Sequence, residues 1–313
     1  YTEKLRKVCY GGFGSHSAQE LHAYPWELSP KRKELFPRVD MDSLSSMEEV
    51  KRWIDGYDTG IRYADHHVGL LINALKEKGI YDDVAIIVTS DHGESQGELN
   101  VWGDHQSADD IICRVPLIIS WPGIERNLQV DTALHHHFDW AATMLELAGA
   151  EVPGNWDGRS FAPSFTNDEE SGREYLVTSQ AAWACQRGVR FDFDGKKYIC
   201  LRTYHDGHKA MDRVMLFNLT DDPREEHNLA DEKPEIVEKA MSYLADWQHD
   251  QMLSATSDID PMVTVLREGG PFHTRGKLVK YLDVLRKTGR EEAANTLALR
   301  HPDELQEDYP YSS

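Results

Sequence analysis

The chain has 313 residues, of which 40% are hydrophobic, and a formal net charge of −20. This composition is typical of a packed globular protein. The acidic excess argues against binding to nucleic acid or to anionic membranes, because both require basic patches. The four cysteines, Cys9, Cys113, Cys185 and Cys200, are too few and too scattered for a disulfide framework. No apolar stretch approaches the ~20 residues of a membrane span.

The first half of the chain alternates helical and strand-like patterns after a loop at residues 1–45. A capping-box pattern at residues 46–49 opens a helix whose apolar stripe runs to Gly79. The apolar run 84–89 predicts a buried parallel strand, and a second strand follows at 115–120. Asp139 is then predicted to cap a helix that ends before Gly149.

The second half reads as a smaller unit of different architecture. A Pro- and Gly-rich stretch at 151–174 marks the boundary. Strands are predicted at 175–179, 188–193, 197–204 and 214–219, followed by a helix at 234–248 and helices at 277–288 and 290–299. We therefore predict an α/β domain at 1–165, with a mixed, mostly parallel sheet flanked by helices. An α+β subdomain with an antiparallel sheet follows at 166–255, and a helical tail at 256–313.

Asp91 and His92 come directly after the first predicted strand. Open α/β sheets build their sites at the carboxyl ends of strands. A carboxylate beside an imidazole is also a natural pair of metal ligands. The alternative is a plain strand-to-turn corner, in which Asp91 caps the next segment and Gly93 supplies a positive φ.

Four segments in register resemble the C-terminal half of a sulfatase, within the alkaline phosphatase superfamily. They are Ser90-Asp91-His92-Gly93-Glu94, Gly103-Asp104-His105, the run from Arg114 to Gly123, and the run from Leu216 to Leu229. The resemblance covers roughly residues 50–250. It implies an alkaline-phosphatase-like fold and a metal-dependent hydrolase of organic sulfate esters, acting on a sulfated small molecule or carbohydrate.

The resemblance implies that Asp91 and His92 bind one divalent cation, which in turn binds the sulfate oxygens. Sulfatases usually bind Ca²⁺, a hard cation that prefers oxygen ligands. Many of them carry Asn or Gln where this chain has His92, and an imidazole favours Mn²⁺ or Zn²⁺ as alternatives. Relatives that hydrolyse phosphonate monoesters or phosphodiesters carry His at this position, so that activity is the second hypothesis. A non-catalytic anion-binding relative is the third.

The resemblance also implies a role for His105. Sulfatases commonly place a Lys, or a Lys-His pair, near this point to contact the sulfate or to protonate the leaving oxygen. Here Asp104 replaces the Lys and His105 remains, so His105 is predicted to be the general acid or the anion contact. The alternative is a histidine in a surface loop. Asp109 is predicted to orient His105, and Arg114 either lines the site or forms a structural ion pair.

The sequence contains two further groups of histidines. His205 and His208 lie in a predicted turn of the small subdomain, which borders the cleft in sulfatases, so they are predicted to bind the substrate; the alternative is an exposed turn. The tract His135-His136-His137 is interpreted as structural, because successive residues of a strand point to alternate faces.

The nucleophile of the family is not found in this sequence. Sulfatases use a formylglycine made in a Cys/Ser-x-Pro/Ala-x-Arg motif, and none of the four cysteines lies in one. We therefore expect an N-terminal segment of the same protein to supply the nucleophile, and the 313-residue chain to be inactive alone. A periplasmic, extracellular or lysosomal location is favoured over a cytoplasmic one. The sequence leaves the oligomeric state open.

Overall fold

A computed structural model describes residues 47–124, 130–166, 171–255, 259–287 and 289–306. The predicted loop at 1–45, the capping Ser46 and the thiol of Cys9 lie outside these ranges. The helices are α1 (Met47–Glu77), α2 (Asp110–Cys113), α3 (Asp139–Leu147), α4 (Pro163–Thr166), α5 (Pro234–Ser254), α6 (Pro261–Arg267), α7 (Leu278–Lys287) and α8 (Glu291–Arg300). The strands are β1 (Ile86–Thr89), β2 (Ser95–Gln96), β3 (Trp102–Asp104), β4 (Leu117–Ser120), β5 (Tyr175–Gln180), β6 (Cys185–Phe193), β7 (Lys196–His205) and β8 (Val214–Asn218).

The long helix α1 is confirmed, but its apolar stripe is only partly covered. Val50 and Ile54 near its start are buried, whereas Ile61 and Leu71 are 56% and 68% exposed. The start of the helix is held to the β2–β3 hairpin, where the indole N–H of Trp53 donates to Gln96 over 2.6 Å. Within the described ranges, no helix has the length and apolar content needed to cross a membrane.

The direction predicted for the strand at 84–89 is wrong. β1 pairs antiparallel with β4, from Ile86 opposite Ser120 to Thr89 opposite Leu117, and it is half-buried rather than fully buried. A continuous apolar run predicts that both faces meet other side chains, but it carries no information on strand direction. All strand pairs within the described residues are antiparallel. The α/β class and the antiparallel sheet of the second half are confirmed.

The second half of the chain contains a four-stranded antiparallel sheet in the order β5-β6-β7-β8. The β6–β7 hairpin turns at Asp194 and Gly195, whose φ angles of 50° and 70° suit a type I′ turn. One face of the sheet packs on α5, and Phe191 and Leu216 are completely buried there. Burying each such side chain stabilises the fold by roughly 1.5–3 kcal/mol relative to exposure. The subdomain boundaries stay a prediction.

The tail forms helices that pack back on the small sheet. The predicted helices at 277–288 and 290–299 correspond to α7 and α8, while α6 was not foreseen. Tyr281 and Leu285 of α7 are buried in a cluster that includes Trp183, which lies between β5 and β6. The Arg187 guanidinium of β6 donates to both carboxylate oxygens of Asp260, each over 2.7 Å. The tail is therefore joined to the sheet by both apolar contacts and an ion pair.

Candidate active site

The corner after β1 is shaped by a close approach of two backbones. The N–H of Gly93 donates to the carbonyl of Ile112 over 2.7 Å. A Cβ at Gly93 would overlap the carbonyl oxygen of Ile111. Gly93 is therefore required for this contact, and not for a positive φ. The contact ties the loop that carries His92 to the short helix α2.

Three side chains meet at this corner. His92, Glu94 and His105 each offer one ligand atom, and these atoms lie within 4.8 Å of one another. The rings of His92 and His105 are stacked, with centroids 3.8 Å apart. The structure thus brings together two of the predicted site residues and adds a carboxylate, Glu94, to which the sequence analysis gave no role.

Each imidazole of the corner has one nitrogen already engaged. Nδ1 of His92 lies 2.7 Å from the carbonyl oxygen of Gly93, and Nδ1 of His105 lies 3.3 Å from Oδ1 of Asp104. A ring that donates from Nδ1 carries its lone pair on Nε2. Both rings therefore present Nε2 as the nitrogen for a ligand or a proton.

The two carboxylates of the corner lie in different environments. Burial, followed by the charge of Asp104, raises the pKa of Glu94, and His105 and His92 partly offset this rise. The Asp91 side chain is 87% exposed, and its Oδ2 lies 3.7 Å from Nε2 of His92. The N–H of His92 donates to Asp91, and this hydrogen bond lowers the pKa of Asp91. Asp91 is thus an ionised carboxylate at the open edge of the cluster.

The role predicted for Asp109 is wrong, and Asp104 takes the position beside His105. Asp109 is buried at the start of α2, where its carboxylate accepts from the N–H of Ile112 over 2.9 Å and from the hydroxyl of Ser107. A carboxylate directly before a helix accepts hydrogen bonds from the first free N–H groups of that helix, and Asp109 makes this local interaction instead of contacting His105. Asp109 therefore fixes α2 rather than the imidazole.

Arg114 makes a structural ion pair rather than lining the site. Its guanidinium lies 3.7 Å from the carboxylate of Asp110, and its side chain is 78% exposed. This is the structural alternative left open by the sequence. An exposed pair of this kind contributes little to stability.

Two buried carboxyl groups near the corner, Asp109 and Glu225, should make the stability of the protein depend on pH. Burial raises the pKa of Asp109 from 3.8 to about 6, and burial and Asp109 raise that of Glu225. The folded state binds these protons more tightly than the unfolded state does. Protonation therefore adds its full contribution to the free energy of unfolding below the pKa of the unfolded state, and this contribution is lost as pH rises through the pKa of the folded state. For Asp109 we expect the free energy of unfolding to fall by about 2–3 kcal/mol between pH 4 and pH 7.

Asp109→Asn is expected to remove that part of the pH dependence, since an amide oxygen can still accept from Ile112. Urea unfolding at several pH values between 4 and 7 measures it. Asp283→Asn, at an exposed carboxylate that pairs with Lys287, is the matched control and should leave the slope unchanged. An Asp109→Asn slope equal to that of the unsubstituted chain contradicts the assignment.

His205 and His208 are not in an exposed turn. His208 is 1% exposed, and Nε2 of both rings lies within 3.2 Å of the carboxylate of Glu304 in the tail. They belong to a second cluster that is separate from the one around His105. This geometry gives no support to the prediction that they bind substrate.

The tail brings His273 close enough to the corner for the charges of Asp104 and His105 to act on it, which the sequence did not reveal. The carbonyl of His105 accepts from the side-chain amide of Gln180 over 2.9 Å. Close by, His273 stacks on Trp183 with centroids 4.3 Å apart, and the charges of Asp104 and His105 act on its imidazole. His273 follows the predicted sheet by about 50 residues of chain in a segment without a motif, so no sequence signal pointed to it.

The histidine tract is structural, as predicted. His135 lies 3.0 Å from the Asp131 carboxylate and stacks on Phe161. His136 stacks on Phe138 instead, and burial lowers its pKa to about 4. The two imidazoles therefore have different partners.

Family models match most of the described chain. Residues 14–150 match the sulfatase model, and residues 97–250 match the model described as N-sulphoglucosamine sulphohydrolase, C-terminal. An N-acetylglucosamine-6-O-sulfatase of Bacteroides thetaiotaomicron is 26% identical over 229 residues, covering 71% of this chain and 39% of that protein. A choline-sulfatase of Rhizobium meliloti is 31% identical over 231 residues, covering 72% of this chain and 43% of that protein.

Solved structures share the fold. A structure described as bound to its substrate D-glucosamine-2-N,6-O-disulfate has a TM-score of 0.58 at 22% identity, covering 74% of this chain and 47% of that one. A phosphonate monoester hydrolase from Silicibacter pomeroyi has a TM-score of 0.56 at 25% identity, covering 72% of this chain and 45% of that one. The chain thus spans less than half the length of each of these proteins.

The fold is that of the alkaline phosphatase superfamily. Within it, the chain belongs to the sulfatase family. The resemblance seen in the sequence is thereby confirmed.

Proposed function

We propose that the protein containing this chain hydrolyses organic sulfate esters at the corner formed by His92, Glu94 and His105. The observation that carries the proposal is the convergence of these three side chains in a segment that matches the sulfatase family. The names of the relatives support the same reaction class.

The donor atoms of the corner fit a divalent cation. Ligand atoms of His92 and Glu94 lie within 4.8 Å of one another, and the ionised Asp91 lies at the edge of the cluster. We propose that these three residues hold the ion. Imidazole nitrogen with carboxylate oxygen favours Mn²⁺ or Zn²⁺ over Ca²⁺, which prefers oxygen alone. A bound ion supplies positive charge and Lewis acidity to the sulfate oxygens.

We propose that His105 contacts the sulfate ester and donates the proton to the leaving oxygen. Asp104 holds its Nδ1, Gln180 holds its carbonyl, and the His92 ring packs against its face. A general acid needs such fixed geometry before its pKa matters. As the imidazolium, His105 carries a proton on each ring nitrogen, and it donates the one on Nε2 while Nδ1 stays paired with Asp104.

The cysteines of the described chain do not fit the role of nucleophile. Burial raises the thiol pKa of Cys185 and Cys200 to about 12, so both are protonated near neutral pH. Cys113 is exposed, but it does not lie in a Cys/Ser-x-Pro/Ala-x-Arg motif. We propose that a formylglycine elsewhere in the protein supplies the attacking hydroxyl, and that the 313-residue chain alone has no turnover.

The substrate class we propose is a sulfated carbohydrate, with a sulfated amino sugar as the first test compound. The support is that one relative is named for an N-acetylglucosamine 6-sulfate and one neighbour is described with a disulfated glucosamine. Phosphonate monoester hydrolysis is the second candidate, since the imidazole of His92 and one structural neighbour favour it.

Comparative turnover of the full-length protein tests the proposal. Glucosamine 6-sulfate, an aryl sulfate and an aryl phosphonate monoester are assayed with added Mn²⁺, Zn²⁺ or Ca²⁺. We expect sulfate release to exceed phosphonate hydrolysis, and peptide mass mapping to show a formylglycine in a Cys/Ser-x-Pro/Ala-x-Arg motif. Faster phosphonate hydrolysis favours the second candidate, and loss of both activities with no such motif contradicts the proposed function.

A further inference from the structure

A second cluster of metal-ligand side chains lies where the tail meets the small sheet. His205 ends β7, and His208 follows in the next turn. His301 and Glu304 come from the segment after α8, almost one hundred residues further along the chain. The four ligand atoms lie within 4.8 Å of one another, and this cluster is distinct from the corner at His92.

The distances from Glu304 to the three imidazoles are close to the spacing of ligand atoms around a tetrahedral ion. Glu304 oxygens lie 3.0 Å from Nε2 of His205, 3.1 Å from Nε2 of His208 and 3.1 Å from Nδ1 of His301. Zn²⁺ bonds of about 2.0–2.2 Å place tetrahedral ligand atoms about 3.3–3.5 Å apart. An ion at the centre therefore requires the Glu304 contacts to widen by only a few tenths of an ångström.

His301 has the outer hydrogen bond that metal-binding histidines usually have. Its Nε2 lies 2.8 Å from Oδ1 of Asp206, while Nδ1 faces the cluster. A carboxylate that accepts from the far ring nitrogen fixes the tautomer that leaves the near nitrogen free to bind an ion. Asp206 is in turn held by Arg300 over 3.2 Å and by the N–H of His208 over 2.8 Å.

The cluster is enclosed by protein. The exposed fractions of the side chains are 13% for His205, 1% for His208, 10% for His301 and 6% for Glu304. Four protein ligands and little access to water are typical of a structural site, whereas a catalytic site keeps one position open. Three neutral imidazoles and one carboxylate suit Zn²⁺, and they give a net charge of +1 beside the carboxylate of Asp206.

Without an ion, all three imidazoles donate to Glu304, so each gives up that proton when an ion binds, and His205 loses a second contact as well. The N–H of Gly207 points to Nδ1 of His205 at 3.1 Å, so without an ion this ring carries its proton on Nε2 and donates it to Glu304. Binding through Nε2 moves the proton to Nδ1 and gives up the Gly207 contact. Without an ion, the cluster is a hydrogen-bonded network centred on Glu304.

We propose that His205, His208, His301 and Glu304 form a closed Zn²⁺ site that fastens the helical tail to the end of β7. The site joins elements that are distant in sequence, and α7 with α8 packs beside it on Trp183. The tail also carries His273, which stacks on Trp183 and interacts electrostatically with Asp104 and His105, so the ion stabilises the segment beside the corner.

Metal content and the absorption spectrum of the Co²⁺ form of the 313-residue chain test the site. The chain is purified, stripped with chelator and titrated with Zn²⁺ or Co²⁺ alone. We expect one tightly bound equivalent that gives the intense visible bands of tetrahedral Co²⁺ and raises the melting temperature. Glu304→Gln and His301→Gln are expected to lose this equivalent.

Two matched variants separate this site from the corner. His92→Ala is expected to retain the tetrahedral Co²⁺ spectrum, and so is His227→Gln, whose side chain is 78% exposed and outside both clusters. Because Glu304→Gln can unfold the tail, the spectrum of the unsubstituted chain is the deciding measurement.

A stripped chain that takes up no ion at the tail, with an unchanged melting temperature, overturns the proposal and leaves the hydrogen-bonded network. A spectrum lost in His92→Ala but kept in Glu304→Gln overturns it as well.

Discussion

In the full-length protein, His105→Ala is expected to slow hydrolysis of sulfate esters with poor leaving groups by about 10²–10⁴-fold. An alkoxide leaving group needs a proton in the transition state, and the structure holds one imidazole in place to give it. Asp104 and Gln180 fix the residue on two sides, and the stacked ring of His92 fixes its face. Esters of acidic phenols need no such proton, so their rates are expected to fall far less.

Rates on an alkyl and an aryl sulfate, with metal content measured in the same preparations, separate the possible roles of His105. The control is His227→Ala, which removes an exposed imidazole 3.8 Å from Asp222 and should leave both rates unchanged. Equal loss on both esters with normal metal content indicates an anion contact rather than an acid. If the His105→Ala protein loses both its bound ion and its activity, His105 is a metal ligand.

Local patterns in the sequence predicted local structure well. The pair Asp194-Gly195 is a hairpin signal in the sequence, because a type I′ turn demands positive φ at two successive residues and few residue types allow it, and the structure has the turn there. The helices α7 and α8 were predicted from their spacing of apolar residues. The direction of β1 could not be predicted, because pairing with β4 depends on a partner about thirty residues away.

Only those residues of the candidate site that lie in recognisable motifs were predicted from the sequence. His92 and His105 lie in segments that resemble one family, so their proximity was expected and is found. Glu94 was missed although it stands two residues after His92, a spacing that returns a side chain to the same side of an extended chain. The pairing of His208 with Glu304 spans 96 residues and crosses no motif, so only the folded chain shows it.

Asp139→Ala is expected to lower the free energy of unfolding by about 3–5 kcal/mol. Its carboxylate is 1% exposed and forms a two-point ion pair with Arg173, whose side chain is 15% exposed. It also accepts from the N–H groups of His136 and Arg159, each over 2.8 Å, and so joins three separate segments. Burial alone would raise the pKa of Asp139, but the hydrogen bonds from Arg173 and the two N–H groups lower it, so the carboxylate stays charged.

The large effect comes from the groups that the substitution leaves behind. Alanine leaves the Arg173 guanidinium half-enclosed without its counter-charge and two part-buried N–H groups without an acceptor, which costs more than the pair itself contributes. Urea unfolding of the 313-residue chain measures the loss. Asp221→Ala, which breaks the exposed pair with Lys196, is the matched control and should cost less than about 1 kcal/mol. In the double variant Asp139→Ala with Arg173→Met, part of the stability should return, because the stranded charge is gone. Equal losses in the two single-carboxylate variants would show that the buried pair does not anchor α3.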